Sequence, residues 1–360
     1  FFLGNYVGDF GLATINISLP IFSLLFGFAL MLAIGGSVIA GKLIGEEDIK
    51  NASMIFTKTI ICITFFSFIA STLLFLNIET VLYLFGADEN LTKIAIEYLS
   101  VILIFIPFLM IGVVLDYFVR VDNRPNLAFI ALLSSALINV ILDWFMIVYL
   151  QKGIFGAALA TGISQLALIF ILLPHFFSKK ATLKFVKPIG SYIQILKASY
   201  NGASEFVNEI SVGITTLIFN YVMIKNLGVE GLAGFAIVEY LLFIGLMISF
   251  GISDSLQPII SKNFGAKKNK RIEGFLNLAF ITTGLVGVVM ILLIIFTPNT
   301  LVNIFLEDNN YKTKEIVLKF ATYIWIIFLF DGFNLVISSY LTAIHKPLHS
   351  MIIAISRSFI

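Results

Sequence analysis

Seven carboxylates within the long apolar runs of this chain are placed to do chemistry: Asp116, Asp143, Glu205, Glu209, Glu239, Asp254 and Asp331. An ionised carboxylate at the middle of a bilayer costs on the order of 2.5–3.5 kcal/mol on insertion scales, so each of these acids must be protonated, face water or hold a cation. The runs offer no Lys or Arg at a comparable depth to neutralise them, which points to cations or protons as the traffic. Asp331 is central in its run, and Glu205 and Glu209 stand one turn apart on one face of a helix. These three are the candidates for a cation-coupling site, with Asp331 and Glu205 as oxygen donors to the coupled cation. Asp116 precedes Arg120 by four residues, the spacing of an ion pair at a helix end. Asn139 and Asp143, one turn apart, are suited to hydrogen bonding between helices. Together with Glu239, Asp254, Asn208 and Asn334 they complete the set of candidate cavity and substrate contacts.

The elements that must position these groups are apolar helices. Of 360 residues 59% are hydrophobic and 12% charged, and the mean hydropathy is +1.03. A soluble fold has roughly 45–50% apolar and about 25% charged residues, so the solvent of this chain is the bilayer. Apolar runs of 20 residues or more occupy roughly 11–44, 53–76, 95–119, 127–150, 154–177, 199–227, 232–264, 276–296 and 317–344, and a tenth begins at Pro347. None alternates with period two, which excludes a transmembrane barrel. Alternate loops carry 14 of the 23 basic residues, among them Lys42, Arg120, Arg124, Lys179, Lys262, Lys270 and Lys346, while the intervening loops hold acids such as Glu79, Asp88, Glu230, Glu307 and Asp308. The positive-inside rule places the first set in the cytoplasm. The chain begins at Phe1 without an initiator Met and ends in an apolar stretch, so a longer protein is expected.

The chain also repeats itself. At an offset of 220, Gly8, Gly11, Leu12 and Ala13 fall on Gly228, Gly231, Leu232 and Ala233, and Ile39, Lys42, Gly45 and Lys50 fall on Ile259, Lys262, Gly265 and Lys270; at 222, Pro125 falls on Pro347. A repeat of six spans returns the chain to the same side, which makes the two halves parallel copies with a site between them, as in secondary transporters. The expected organisation is an N-terminal bundle over 1–177, a basic cytoplasmic connector over 178–191 and a C-terminal bundle over 192–360. Enzyme chemistry lacks its parts. Gly36–Leu43 imitates a phosphate loop but has Leu43 where Ser or Thr is required, and His175, His345 and His349 form no zinc or hydrolase motif. The single Cys62 is set among isoleucines, and the net charge of +2 provides no footprint for nucleic acid. No cofactor or nucleotide is expected beyond the coupling ion.

Gly8-Asp9-Phe10-Gly11-Leu12-Ala13 leading into Ile17-Ser18-Leu19-Pro20, Arg120-Val121-Asp122-Asn123-Arg124-Pro125, Ile138-Asn139-Val140-Ile141-Leu142-Asp143 and Gly153-x-x-Gly156-Ala157-Ala158-Leu159-Ala160-Thr161 follow in order between spans. In these landmarks the chain resembles the multidrug and toxic compound extrusion (MATE) transporters, with most of the first helix and the last one or two helices missing. The resemblance implies an all-α polytopic membrane protein of two pseudo-symmetric six-helix bundles, twelve helices in the full-length protein. It implies a monomeric bacterial plasma-membrane antiporter that expels cationic or amphipathic compounds in exchange for sodium ions or protons. In Phe330-Asp331-Gly332-Phe333-Asn334, Asp331 matches the tenth-helix acid of the sodium-coupled branch, and Glu205 or Glu209 is the looser match to its seventh-helix acid. The alternative is a flippase of a related two-bundle fold for a lipid-linked saccharide, which requires basic residues in the cavity to meet a pyrophosphate.

Overall fold

Helix ends set the pattern of the molecule. The structure is a computed structural model that describes residues 2–7, 9–303 and 311–359; Gly8 of the first landmark and the loop acids Glu307 and Asp308 lie outside the described residues. The helices are α1 (Phe2–Tyr6), α2 (Asp9–Gly45), α3 (Ile49–Leu76), α4 (Ile78–Leu84), α5 (Glu89–Val121), α6 (Pro125–Asp143), α7 (Gly153–Leu172), α8 (Ile193–Asn201), α9 (Ala203–Gly265), α10 (Asn269–Phe296), α11 (Pro298–Asn303), α12 (Tyr311–Ala343) and α13 (Pro347–Phe359). A π-helical turn, Trp144–Tyr149, extends α6, and a 3₁₀ turn, Leu173–Phe177, closes α7. Gly228, at φ 68° and ψ −156°, breaks α9 into two spans, Ala203–Met223 and Gly234–Gly265. This backbone conformation is open to glycine and closed to residues with a Cβ. Among the described residues nine helices are long and apolar enough to cross a membrane, and they coincide with the apolar runs of the sequence.

Four turns between spans are copies of one device. After α2, α5, α9 and α12 the second residue past the helix adopts positive φ: Glu47, Asn123, Lys267 and His345. Each donates its N–H to the carbonyl three residues back, and the next residue donates to the carbonyl five back, as in Asp48 to Leu43 (2.8 Å), Arg124 to Val119 (3.1 Å), Lys268 to Asn263 (2.8 Å) and Lys346 to Leu341 (2.8 Å). This double bond is the Schellman cap, which satisfies the last carbonyls of a helix and reverses the chain. Asp48 then caps α3 through its carboxylate, and Pro125 and Pro347 open the helices that follow the second and fourth turns.

The repeat governs the element boundaries as well. Displaced by 220 residues, Ile49–Leu76 lands on Asn269–Phe296, Ile78 on Pro298 and Glu47 on Lys267; displaced by 222, Glu89–Val121 lands on Tyr311–Ala343 and Asn123 on His345. The chain forms two compact units, Phe1–Glu209 and Ile210–Ile360, so the connector packs with the first. In the first unit one continuous core runs from Ile21 to Ile195. In the second unit the buried apolar residues fall into two clusters, one about Val238, Met290 and Phe328, the other about Ile260, Ala279 and Val336.

Candidate functional site

Glu205 and Glu209 owe their place in the first unit to two glycines. A Cβ on Gly35 of α2 would run into the Ala198 carbonyl, and one on Gly202 would run into the Met31 carbonyl. The backbones of α2 and of the α8–α9 junction therefore touch, a close approach that only small residues permit. Gly27, two turns earlier on α2, lets Phe206 and the stem of Glu209 approach in the same way. Beyond that contact lies a cavity of about 210 Å³ lined by Leu19, Phe22, Ser23, Leu25 and Phe26 of α2, Ile106 and Leu109 of α5, and Glu209. Ser23 hydrogen-bonds the Glu209 carboxylate, which is the ionisable group among the lining residues. Glu205 is buried one turn away, where the Asn208 amide donates to its carboxylate at 3.4 Å.

Asp331 has a basic partner, contrary to the expectation that none exists at its depth. Arg357 Nε lies 2.7 Å from Asp331 Oδ1, both side chains are largely buried, and the guanidinium lies 5.4 Å from the centre of the Phe250 ring. The reason is geometric. The sharp turn after α12 folds α13 back, so Asp331, twelve residues before Ala343, and Arg357, ten after Pro347, each stand about 15–18 Å from the turn at 1.5 Å per residue. Read along the sequence, Arg357 belongs to the apolar stretch at the chain's end; read by depth, it belongs with Asp331. Glu239 accepts a hydrogen bond from Thr216 Oγ1 at 2.8 Å. Asp254 and Asn334 are half-buried on α9 and α12.

Asp116 pairs with Arg120 at 2.5 Å, as its spacing implied. Asn139 reaches Thr161 of α7 at 3.5 Å, a marginal contact, and Asp143 Oδ1 is buried with no hydrogen-bond partner among the described residues. Sequence reasoning missed Asp122, a loop acid next to Arg120 and Arg124 with nothing in its spacing to mark it. Its buried carboxylate contacts His175 Nε2 at 2.6 Å and accepts the backbone N–H groups of Thr182 and Leu183 at 3.0 and 3.1 Å. Beside it Thr57 accepts from Val186 N–H at 3.1 Å, and the buried Lys58 ammonium donates to the Ser191 carbonyl at 2.8 Å. These groups strap the connector to α3 and α5. A Lys inside the third helix was the available signal, since a buried ammonium must have acceptors.

A bundle of apolar spans built from two parallel repeats, with a carboxylate in an apolar cavity, defines a multi-pass membrane transporter. The family model MatE matches residues 1–145 and 206–360. The chain belongs to this family: it is a MATE family transporter, a multi-pass bacterial membrane protein of the two-bundle fold. It is similar to the multidrug export protein MepA of Staphylococcus saprophyticus, 26% identical over 318 residues that make up 86% of this chain and 68% of that protein. The MepA of Staphylococcus haemolyticus is 27% identical over 316 residues, again 86% of this chain and 68% of that protein. Among solved structures, the outward-facing conformation of a multidrug resistance MATE family transporter of the MOP superfamily superposes with a TM-score of 0.92 at 20% identity, covering 99% of this chain and 80% of that one.

Proposed function

We propose that the protein exports cationic amphipathic compounds in exchange for sodium ions or protons, by alternating access. The observation that carries this reading is the cavity of the first unit: apolar walls, the rings of Phe22 and Phe26, and one carboxylate, Glu209. Such walls take the apolar body of a drug, the rings attract its positive charge, and the carboxylate neutralises it away from water. A small inorganic cation or a proton neutralises the same carboxylate. The two cannot bind Glu209 together, and mutual exclusion at one acid is the simplest basis of exchange. Glu205 and Asp331 supply further carboxylates for the coupling ion. A saccharide flippase would need bases in this cavity, and its lining holds an acid.

The test uses the full-length protein in proteoliposomes, with ethidium as the cationic substrate and sodium and pH gradients imposed separately. One gradient is expected to drive efflux in the wild type. Glu209→Gln is expected to lower that efflux about tenfold or more, the effect of losing one charge-assisted contact in a desolvated site. Gradient-driven efflux undiminished in Glu209→Gln would remove this cavity from the mechanism.

A further inference from the structure

The second unit holds a polar layer that its first copy lacks. Between its two apolar clusters, at the level they leave vacant on α9, α10 and α12, stand the buried Ser249, Ser253 and Thr283 together with Asp331. At the equivalent positions the first copy has Ala29, Ala33, Ile63 and Leu109, and opposite Arg357 it has Ser135. Leu109 lines the cavity of the first unit, so the repeat assigns Asp331 to the corresponding wall of the second. Leu19, another lining residue, corresponds to Glu239. A Cβ on Gly332 would strike the Thr283 side chain and come within 3.1 Å of Ser249 Oγ, so α12 packs directly on this layer.

The Asp331–Arg357 contact is built through one oxygen. Nε of the guanidinium meets Oδ1, while Asp331 Oδ2, Ser253 Oγ and Thr283 Oγ1 are buried with no hydrogen-bond partner among the described residues. A brace made only for stability would use the guanidinium fork on both oxygens and leave no unsatisfied acceptors beside it. Buried carboxylate and hydroxyl oxygens left without partners at one level are instead the environment a hard monovalent cation requires, since such ions are held by oxygen atoms.

We propose that Arg357 is a tethered competitor for the coupling cation: it neutralises Asp331 while the site is empty, and the incoming sodium ion or proton displaces it. This rests on the antiport reading above and adds to it the residue that sets the ion affinity. The arrangement keeps Asp331 from carrying an uncompensated charge during the return step and makes ion binding weaker than an open carboxylate would allow. Ser350 fixes the other end of α13, through its hydroxyl to Ser338 and Thr342 of α12 at 2.8 and 2.9 Å, so the competitor stays at the height of Asp331 while its side chain moves.

The experiment measures ethidium efflux from proteoliposomes of the full-length protein as a function of the driving ion, with sodium varied at constant pH in one arm and pH varied at constant sodium in the other. Arg357→Gln is expected to lower the half-saturating concentration of the driving ion about tenfold or more and to open an ion flux that runs without ethidium, because the competitor is gone. Asp331→Asn/Arg357→Gln, a neutral pair, is expected to fold and to lose the response to that ion. A half-saturation in Arg357→Gln within about twofold of wild type, or a wild-type ion response in the double variant, would overturn the inference while leaving gradient-driven export intact. Should the single variant not fold, the double variant decides by itself. If neither gradient drives the wild type, the antiport reading fails and the inference fails with it.

Discussion

Leu109 and Asp331 hold the same place in two copies of one fold, and almost everything around them differs. The first copy surrounds Leu109 with an apolar cavity whose charge, Glu209, arrives on α9 and is held by a neutral hydroxyl. The second copy carries its acid in the wall and sets a guanidinium against it. The same comparison explains the cores: where the first unit fills mid-depth with Ala29, Ala33 and Ile63, the second places hydroxyls and breaks its core in two. A duplicated scaffold conserves helix ends and turns, because those satisfy backbone groups that every helix has. It leaves the interior free to diverge, and under the proposed function the divergence separates a cavity for an organic cation from a layer for a small one.

The largest effect follows from undoing one half of that divergence. Asp331→Leu installs the first copy's residue but strands Arg357 without its anion, and an uncompensated buried charge costs about 3–5 kcal/mol. Thermal unfolding in detergent is expected to show a marked fall in melting temperature for Asp331→Leu and recovery of most of it in Asp331→Leu/Arg357→Ser, which reproduces the pair Leu109 and Ser135. Equal stability of the single and double variants would mean that the ion pair does not couple these positions.

Next in size is the clamp on the connector, which also belongs to one copy only: Asp122 corresponds to Ile344. Two backbone N–H groups and His175 converge on a carboxylate with no exposed side-chain surface. Asp122→Ala removes charge-assisted bonds for about 2–3 kcal/mol, so local opening of the connector should rise roughly 30- to 150-fold. Limited trypsin digestion at Lys179, Lys180 and Lys184 reads this directly. Cleavage no faster than in wild type would show that Ser53, Thr57 and Lys58 hold the strap without Asp122.

The spans, their order and the repeat were legible because an apolar run of 20 residues has one stable form in a bilayer and because a duplicated turn keeps its punctuation, as Pro125 and Pro347 do. The turn conformation itself was less visible. Of Glu47, Asn123, Lys267 and His345, Asn and His alone belong to residue types that favour positive φ. The acids were visible for the same reason as the spans, but apart from Arg120 beside Asp116 their partners were not. Helices apolar on all sides do not announce which face is inward, so nothing in the sequence set Ser23 beside Glu209 or Gly35 against Gly202. Arg357 was hidden by a different cause: depth in a membrane is measured across the hairpin, and distance along the chain put it at the end of a hydrophobic stretch.

The smallest effect tests the first half of the comparison, that the cavity acid is held by a neutral donor. Ser23 contributes one hydrogen bond to a carboxylate that must stay accessible to substrate. Its loss in Ser23→Ala should leave the fold unchanged, since a methyl group fits where the hydroxymethyl stood, and should let Glu209 adopt other rotamers. A single orienting bond is worth about 1 kcal/mol, which corresponds to roughly fivefold weaker binding of ethidium, read by fluorescence polarisation on the purified full-length protein. In the second unit the corresponding residue is Phe243, which has no donor to lose. Phe243→Ala should therefore leave the ion response of Asp331 where it is. If Ser23→Ala instead binds ethidium as tightly as wild type, Glu209 does not need its donor, and the contrast between the two acids reduces to the presence or absence of Arg357.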